Sequence, residues 1–109
     1  MALVRGFIHW VELDKRRPAV IVSPTRRNDL ASDVIVVPCS SVLRPMVWHV
    51  RLERGEGGLS QASIAKCEQI VTLPKQAVSP APLGPAALSP ERLGEIERAI
   101  MLAVGIIPR

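Results

Sequence analysis

The chain has 109 residues, of which 48% are hydrophobic and 22% are charged. This length suits one folded domain with a single core, and so many apolar residues, collected into runs, exclude a disordered chain. No apolar run reaches the roughly 20 residues of a membrane-spanning helix, and Arg5 and His9 interrupt the stretch where a secretory signal needs continuous apolar residues. We therefore expect one domain, residues 1–109, in the cytoplasm.

The net charge of +4 is unevenly distributed. Residues 1–54 hold nine basic and five acidic side chains, whereas residues 55–109 hold five of each. Eight of those nine basic side chains are arginines, which favours binding to phosphate or to an acidic protein. With only three aromatic residues in the chain, a sheet that stacks several bases is not expected.

The first two predicted strands form a hairpin. Residues 6–13 alternate in polarity with apolar side chains on both faces, and residues 19–22 are a short β-branched run typical of a strand buried on both faces. Only residues 14–16 separate them, which predicts a tight antiparallel turn. Arg16 and Arg17 stand where this turn passes into a rigid strand, a place from which a guanidinium can hold a phosphate, or merely keep the turn solvated.

Two further strands follow. Residues 23–33 are polar and predict a loop with room for one helical turn. Residues 34–39 form a third strand, and Pro38 indicates that it ends at an edge or a bulge. Residues 48–53 form a fourth strand with polar side chains at alternate positions.

The second half of the chain begins with a break. The segment GEGG at 55–58 breaks the chain after the fourth strand, and residues 62–72 read as a fifth strand that bends near Lys66. Residues 73–90 are rich in proline and predict an irregular connection.

One helix is clear at the end of the chain. Ser89 and Pro90 form an N-cap and first-turn pair, and Glu91 suits the helix dipole. The helix predicts a small, mainly β fold, a curled sheet or barrel against which it packs. Its apolar stripe is Leu93, Ile96, Ile100, Ala103 and Ile107, and Met101 with Val104 widens it enough for a partner surface as well.

Neither cysteine has a nearby partner in sequence. Cys39 and Cys67 form no CxxC motif, so buried free thiols are expected rather than a disulfide framework or a zinc site. No cluster of histidine and carboxylates has metal-ligand spacing, so no metal or cofactor is expected.

Five short segments occur in a fixed order along the chain: Arg-Gly at 5–6, WVELD at 10–14, RPAVIVSP at 17–24, VPCSS at 37–41 and CEQIVT at 67–72. Together they resemble the MazF/PemK family of toxin endoribonucleases over nearly the whole chain. The resemblance implies a dimeric SH3-like barrel that cleaves single-stranded RNA without a metal and is inhibited by an antitoxin, for which the basic first half predicts an acidic chain.

The resemblance also implies the site residues. Arg17 corresponds to the arginine at the scissile phosphate, and Ser40 to the hydroxyl residue that ends the third strand. Lys66 and Glu68 take the places of an arginine and an aspartate with acid and base roles. Further RNA-binding candidates are Arg16, Ser41, Gln69, Arg26, Arg27 and Arg44.

These residue types suit the chemistry. RNA cleavage without a metal needs a base for the 2′-hydroxyl, cations or donors for the charge on phosphorus, and an acid for the leaving 5′-oxygen. Glu68 is the candidate base, and Lys66 the acid or a second cation. Arg17 suits charge stabilisation because arginine hardly ever loses its proton, and Ser40 suits donation to a phosphate oxygen.

Ordinary structural roles stay open at this point. Lys66 and Glu68 could face the same side of a strand as a surface ion pair, and the serines could satisfy the backbone at a strand end. His9 and His49 lie in apolar strand patterns and are expected to be packed or rim side chains rather than catalytic groups.

Two other functions also fit this sequence. A toxin of the same fold could inhibit a protein such as DNA gyrase through its C-terminal helix, leaving RNA intact. The short hairpin, and Val71 where the family commonly has arginine, make an inactive barrel that only binds nucleic acid or protein a third reading.

Overall fold

Seven strands and two helices make up the computed structural model, which describes residues 2–107. The strands are β1 Ile8–Glu12, β2 Arg16–Ile21, β3 Asp33–Ser40, β4 His49–Leu52, β5 Ser63–Lys66, β6 Val71–Pro74 and β7 Val78–Pro82; the helices are α1 Thr25–Leu30 and α2 Pro90–Ala103. The strands hydrogen-bond in the order β4-β5-β3-β2-β1-β7, β6 also pairs with β3, and every pairing is antiparallel.

The predicted hairpin is confirmed. β1 pairs with β2 from Ile8 opposite Val20 to Glu12 opposite Arg16. Three residues make the turn, and the Leu13 N–H donates to the carbonyl of Lys15 at 3.1 Å. The turn therefore delivers the two arginines at the first two positions of β2.

The middle strands of the sheet bury both faces, as the continuous apolar runs predict. One core cluster contains Ile8, Val20 and Ile96, and a second contains Val11 and Ile21. Side chains of one strand alternate between the two faces of the sheet. β2 therefore contributes to both clusters and is held rigidly from both sides.

The prediction that β3 ends near Pro38 at an edge or bulge is wrong. β3 continues to Ser40 and lies inside the sheet, with β2 on one side and both β6 and β5 on the other. The pairing with β6 ends at Val36, and the pairing with β5 begins at Cys39. Pro38 thus falls in the gap between two partners, where a missing N–H breaks no ladder on that side.

The predicted fifth strand, residues 62–72, is in fact two strands. β5 and β6 are separated by a 3-10 turn at Cys67–Gln69, next to the bend expected at Lys66. The turn buries Cys67 completely and leaves Gln69 exposed. The turn also moves the chain along β3, since β5 pairs with the end of β3 at Cys39 and Ser40, whereas β6 pairs with its first half at residues 33–36.

The proline-rich segment 73–90 also differs from its prediction, because it contains β7. This strand pairs only with β1 and lies at the sheet edge, where proline is tolerated since one side of the strand needs no N–H donors. The register slips between His9 and Val11. The buried His9 ring fills this irregularity and donates through Nδ1 to the Ser79 carbonyl at 2.8 Å, so His9 is packed as expected.

The C-terminal helix begins as predicted. The Ser89 Oγ accepts from the N–H of Arg92 at 3.1 Å, and Pro90 occupies the first turn. Ile96 and Ala99 are buried against the sheet. Within residues 2–107, no helix combines the length and apolar character needed to cross a membrane.

The backbone at Gly58 passes very close to the backbone at residues 83–84, just after β7. Gly58 has φ +89°, and a Cβ there would overlap the carbonyl carbon of Leu83 and approach the Gly84 nitrogen to 2.5 Å. Gly55 has φ +94° but nothing within 4 Å of a Cβ. The two glycines share a left-handed backbone and differ in the space around them.

Gly58→Ala should therefore destabilise the protein more than Gly55→Ala. Gly55→Ala carries only the left-handed strain of an L-residue, about 1–2 kcal/mol, whereas Gly58→Ala adds the clash with the backbone at 83–84. Urea unfolding of both variants measures the difference. Equal midpoints would show that the 58–84 approach is not tight.

Candidate active site

Two adjoining cavities lie beside the hairpin turn. The first, of about 290 Å³, is lined by seven residues and is called here the basic cleft: Lys15, Arg17, Ser40, Val42, Arg44, His49 and Lys66. The second, of about 210 Å³, shares Lys15, Arg17, Ser40 and Val42 with it and extends past Trp10 and Arg16 to Gln61 and Leu83. The structure therefore brings three of the four predicted catalytic residues into one cleft.

Arg17 is oriented by a carboxylate of the turn. Its Nε donates to Oδ1 of Asp14 and its Nη2 to Oδ2, both at 3.0 Å. These hydrogen bonds lower the pKa of the Asp14 carboxyl to about 2 and raise the pKa of Arg17. The guanidinium is thus held as a planar, two-pronged donor, the geometry that also binds a phosphate.

Ser40 lies at the end of β3 with its hydroxyl proton available. Its Oγ accepts a hydrogen bond from the N–H of Val42 at 3.1 Å. This is the local backbone role expected for a serine at a strand end, but it uses only a lone pair of the oxygen. The O–H can still donate to a ligand in the basic cleft.

Lys66 and Glu68 do not form the surface ion pair that two residues on one strand could make. Lys66 ends β5 and lines the basic cleft, whereas Glu68 sits on the 3-10 turn and is not among the lining residues. The Glu68 carboxylate instead accepts from Nε2 of His49, at 2.9 Å and 3.1 Å to its two oxygens.

The environment of Glu68 favours its charged form. Burial on its own would raise the pKa of this carboxyl, but the hydrogen bond from His49, with smaller contributions from the backbone and the Trp48 indole, holds the pKa below its usual range. The Glu68 side chain is 34% exposed. It is an ionised carboxylate beside the cleft at neutral pH.

Two polar residues of the basic cleft, Lys15 and His49, were not identified from the sequence. The His49 side chain is 7% exposed, and its Nδ1 lies 2.9 Å from the Arg44 carbonyl oxygen. The alternating pattern of β4 correctly indicates that its side chain points away from Val50. The sequence does not show that β4 pairs with β5, and this pairing is what places His49 opposite Lys66.

The additional RNA-binding candidates divide by position. Arg44 lines the basic cleft, and Arg16 and Ser41 line the second cavity, where the Arg16 guanidinium lies 4.9 Å from the centre of the Trp10 ring. Gln69 is exposed on the 3-10 turn and lines neither cavity.

Arg26 and Arg27 lie elsewhere, on α1. This helix follows the far end of β2, so a whole strand separates it from Arg17. Arg27 is also engaged, since its Nη2 donates to Oδ1 of Asp33 at 2.6 Å. The structure gives no support to their prediction as cleft residues.

The thiols offer no nucleophile. Cys39 and Cys67 are both free and buried, as predicted, and burial raises the pKa of each to about 12. Among residues 2–107, no three or more His, Cys, Asp or Glu side chains form a group able to hold a metal ion.

A family model matches this chain over residues 5–104, and its description is PemK-like, MazF-like toxin of a type II toxin-antitoxin system. The chain belongs to this family. Endoribonuclease MazF3 of Mycobacterium tuberculosis is 30% identical over 67 residues, which are 62% of this chain and 64% of that protein. The aligned part thus spans less than two thirds of this relative.

Solved structures of the PemK/MazF family share the fold. The Mycobacterium tuberculosis toxin MazF-mt6 is 25% identical over 91% of this chain and 96% of its own, with a TM-score of 0.82. A mycobacterial endoribonuclease in complex with its cognate antitoxin is 25% identical over 99% and 100%, with a TM-score of 0.83. The predicted small β-barrel of this toxin family, with a C-terminal helix, is confirmed.

The Arg17–Asp14 pair can be measured directly in this PemK/MazF-family protein. NMR titration of the Asp14 carboxyl carbon should give a pKa of about 2 in the wild type. In Arg17→Ala it should return towards the ordinary aspartate value of about 3.9. Because the folded-state pKa is the lower one, the pair stabilises the fold above pH of about 4 and is lost as the pH falls through about 2.

Arg16→Ala is the matched control for that titration. Arg16 precedes Arg17 on β2 but contacts Trp10, so its removal should leave the Asp14 pKa unchanged. An ordinary Asp14 pKa in the wild type would mean that Arg17 is not held by this carboxylate.

Proposed function

We propose that this protein is the toxin of a type II toxin-antitoxin system and cleaves single-stranded RNA without a metal ion. The observation that carries the proposal is the convergence of Arg17, Ser40 and Lys66 in one basic cleft. Relatives named endoribonucleases, 25–30% identical to this chain, support it. A cytoplasmic location suits such a substrate and is part of the proposal.

The cleft residues supply the charge that a phosphodiester needs. A phosphate oxygen pair can replace the Asp14 carboxylate on the Arg17 guanidinium, since both offer two acceptors to the same donors. The Ser40 hydroxyl donates to a further oxygen. Lys15 and Lys66 add positive charge where negative charge grows on phosphorus.

The reaction proceeds through the substrate's own 2′-hydroxyl. The 2′-oxygen attacks phosphorus, the bond to the 5′-oxygen breaks, and the products are a 2′,3′-cyclic phosphate and a 5′-hydroxyl. Glu68, which borders the cleft through its hydrogen bond with His49 rather than lining it, is the base that accepts the 2′-proton, and its lowered pKa keeps it ionised. Lys66 donates a proton to the leaving 5′-oxygen, while Arg17 stabilises charge and keeps its own proton.

Arg17→Ala should lower the cleavage rate about a hundredfold or more in EDTA, the scale of losing one transition-state donor. Ser40→Ala should cost less because a neutral donor is lost, and Glu68→Gln should abolish the base while keeping its shape. The assay follows a long single-stranded RNA, with the matching DNA as an uncut control because it lacks the 2′-hydroxyl.

Arg26→Ala is the matched control for Arg17→Ala. Arg26 lies on α1, beyond the far end of β2 from Arg17. The Arg26→Ala variant removes the same charge as Arg17→Ala but should cleave RNA at the wild-type rate. Full activity in Arg17→Ala, or cleavage that requires added magnesium, would contradict the proposed site.

We further propose that two copies assemble through the end of α2 and the segment before β4. Both elements carry exposed apolar side chains: Met101, Leu102, Val104 and Ile106 near the helix end, and Met46 and Val47 in the segment. Val47 and Leu102 line one groove between the two elements, and exposed apolar side chains of this kind are typical of an association surface. The solved complex of a relative supports an antitoxin as partner. If that antitoxin is acidic, as the basic first half of this chain predicts, its carboxylates would compete for Arg17 much as Asp14 does.

Sedimentation velocity at micromolar concentration should show a dimer. Leu102→Glu should give a monomer, because it places a charge in the groove between β4 and α2 where Leu102 is 42% exposed. Leu30→Glu is the control: Leu30 is 78% exposed on α1, away from this patch, and its variant should stay dimeric. A monomeric wild type would refute the assembly.

A further inference from the structure

Residues 41–47, which are seven of the eight residues between β3 and β4 and are called here the cleft loop, are exposed at every position. The backbone hydrogen bonds described for it are local: the N–H of Val42 reaches Ser40, that of Arg44 reaches Val42, and the Met46 carbonyl accepts from the N–H of His49. Such a segment has little intrinsic hold on the sheet.

One side chain ties the middle of this loop to the sheet. Nδ1 of the His49 ring lies 2.9 Å from the Arg44 carbonyl oxygen, and Nε2 lies 2.9 Å from the Glu68 carboxylate. Both partners are acceptors, so a neutral ring donates to one of them and a protonated ring donates to both. The nearly buried imidazole is thereby anchored on one side and holds the loop on the other.

We propose that His49 is a positioning residue that places Arg44 in the basic cleft for contact with the RNA backbone. The inference rests on the proposed function. Arg44 belongs to an exposed loop yet lines the same cavity as Arg17 and Ser40. Fixing its carbonyl fixes the origin of its side chain, and a preorganised cation loses less entropy when it binds a phosphate.

The bonding of the ring argues against a direct catalytic role. Neither ring nitrogen of His49 is left for a substrate, and the side chain is only 7% exposed. Its effect should therefore pass through Arg44 on one side and through Glu68 on the other. The two effects can be separated because an asparagine amide reproduces the Nδ1 donor and a glutamine amide the Nε2 donor.

The experiment compares His49→Gln with His49→Asn. His49→Gln should lose the bond to the Arg44 carbonyl, speed hydrogen exchange in the cleft loop, and raise KM for RNA about two- to tenfold, the equivalent of one hydrogen bond. His49→Asn should keep the loop protected and KM close to wild type, while its kcat falls because Glu68 loses its partner.

A double variant tests whether His49 acts through Arg44. Arg44→Ala should raise KM by at least as much as His49→Gln, and combining the two should raise it no further, because they remove the same contact. Arg54→Ala is the control: it removes an exposed arginine just beyond β4 that lines neither the basic cleft nor the groove between β4 and α2, and it should change neither KM nor loop exchange.

Three results would overturn the inference. They are wild-type loop exchange and KM in His49→Gln, identical behaviour of the Asn and Gln variants, and multiplicative losses in the double variant. A wild type that neither cleaves nor binds RNA would refute the proposed function instead, and hydrogen exchange in the cleft loop would still test the tether.

Discussion

The site depends on the rigidity of β2 at the point where it leaves the hairpin turn. The last three residues of β2, residues 19–21, are buried and belong to two core clusters, so the strand that carries Arg17 is held from both faces. Asp14, on the turn, then fixes the Arg17 guanidinium through two hydrogen bonds. Every other cleft residue is placed relative to this arginine, because β3 follows from pairing with β2, and β5 from pairing with β3.

Strand pairing explains how residues far apart in sequence meet. Ser40 reaches the cleft because β3 runs antiparallel to β2, which returns the end of β3 to the beginning of β2. Lys66 reaches it because β5 pairs with β3 at Cys39 and Ser40. His49 reaches it because β4 pairs with β5. The basic cleft is thus formed where four strands meet rather than by one motif.

The sequence predicted the local features of this arrangement better than the contacts between strands. The hairpin, the N-cap at Ser89 and the buried thiols follow from turn length, capping chemistry and apolar runs, all of which are local. β7 was missed because its prolines suppress the strand signal, although an edge strand tolerates them. Arg26 was included in the predicted site because its charge is evident from the sequence, whereas the position of α1 at the far end of β2 from Arg17 is not.

His49 illustrates the same limit more sharply. A polar residue in a strand shows by its period which face it occupies, but not what lies across from it, since that depends on which strands pair and in which register. The contact of His49 with Glu68 could not be predicted either, because Glu68 was expected on a continuous strand and lies on a 3-10 turn instead. Only the family resemblance, and not periodicity, brought Glu68 into the predicted site.

The cleft also has an internal charge balance that shapes how it can bind. Asp14 neutralises Arg17, so this cationic group already has a carboxylate partner. Lys15, Arg44 and Lys66 line the same cavity without a salt bridge among those described for residues 2–107. Under the proposed function, an RNA phosphate would therefore meet these three first through long-range attraction and would then exchange with Asp14 to reach Arg17. Approach and tight engagement become separate steps, and only a ligand with two acceptor oxygens in the geometry of a carboxylate or phosphate completes the second.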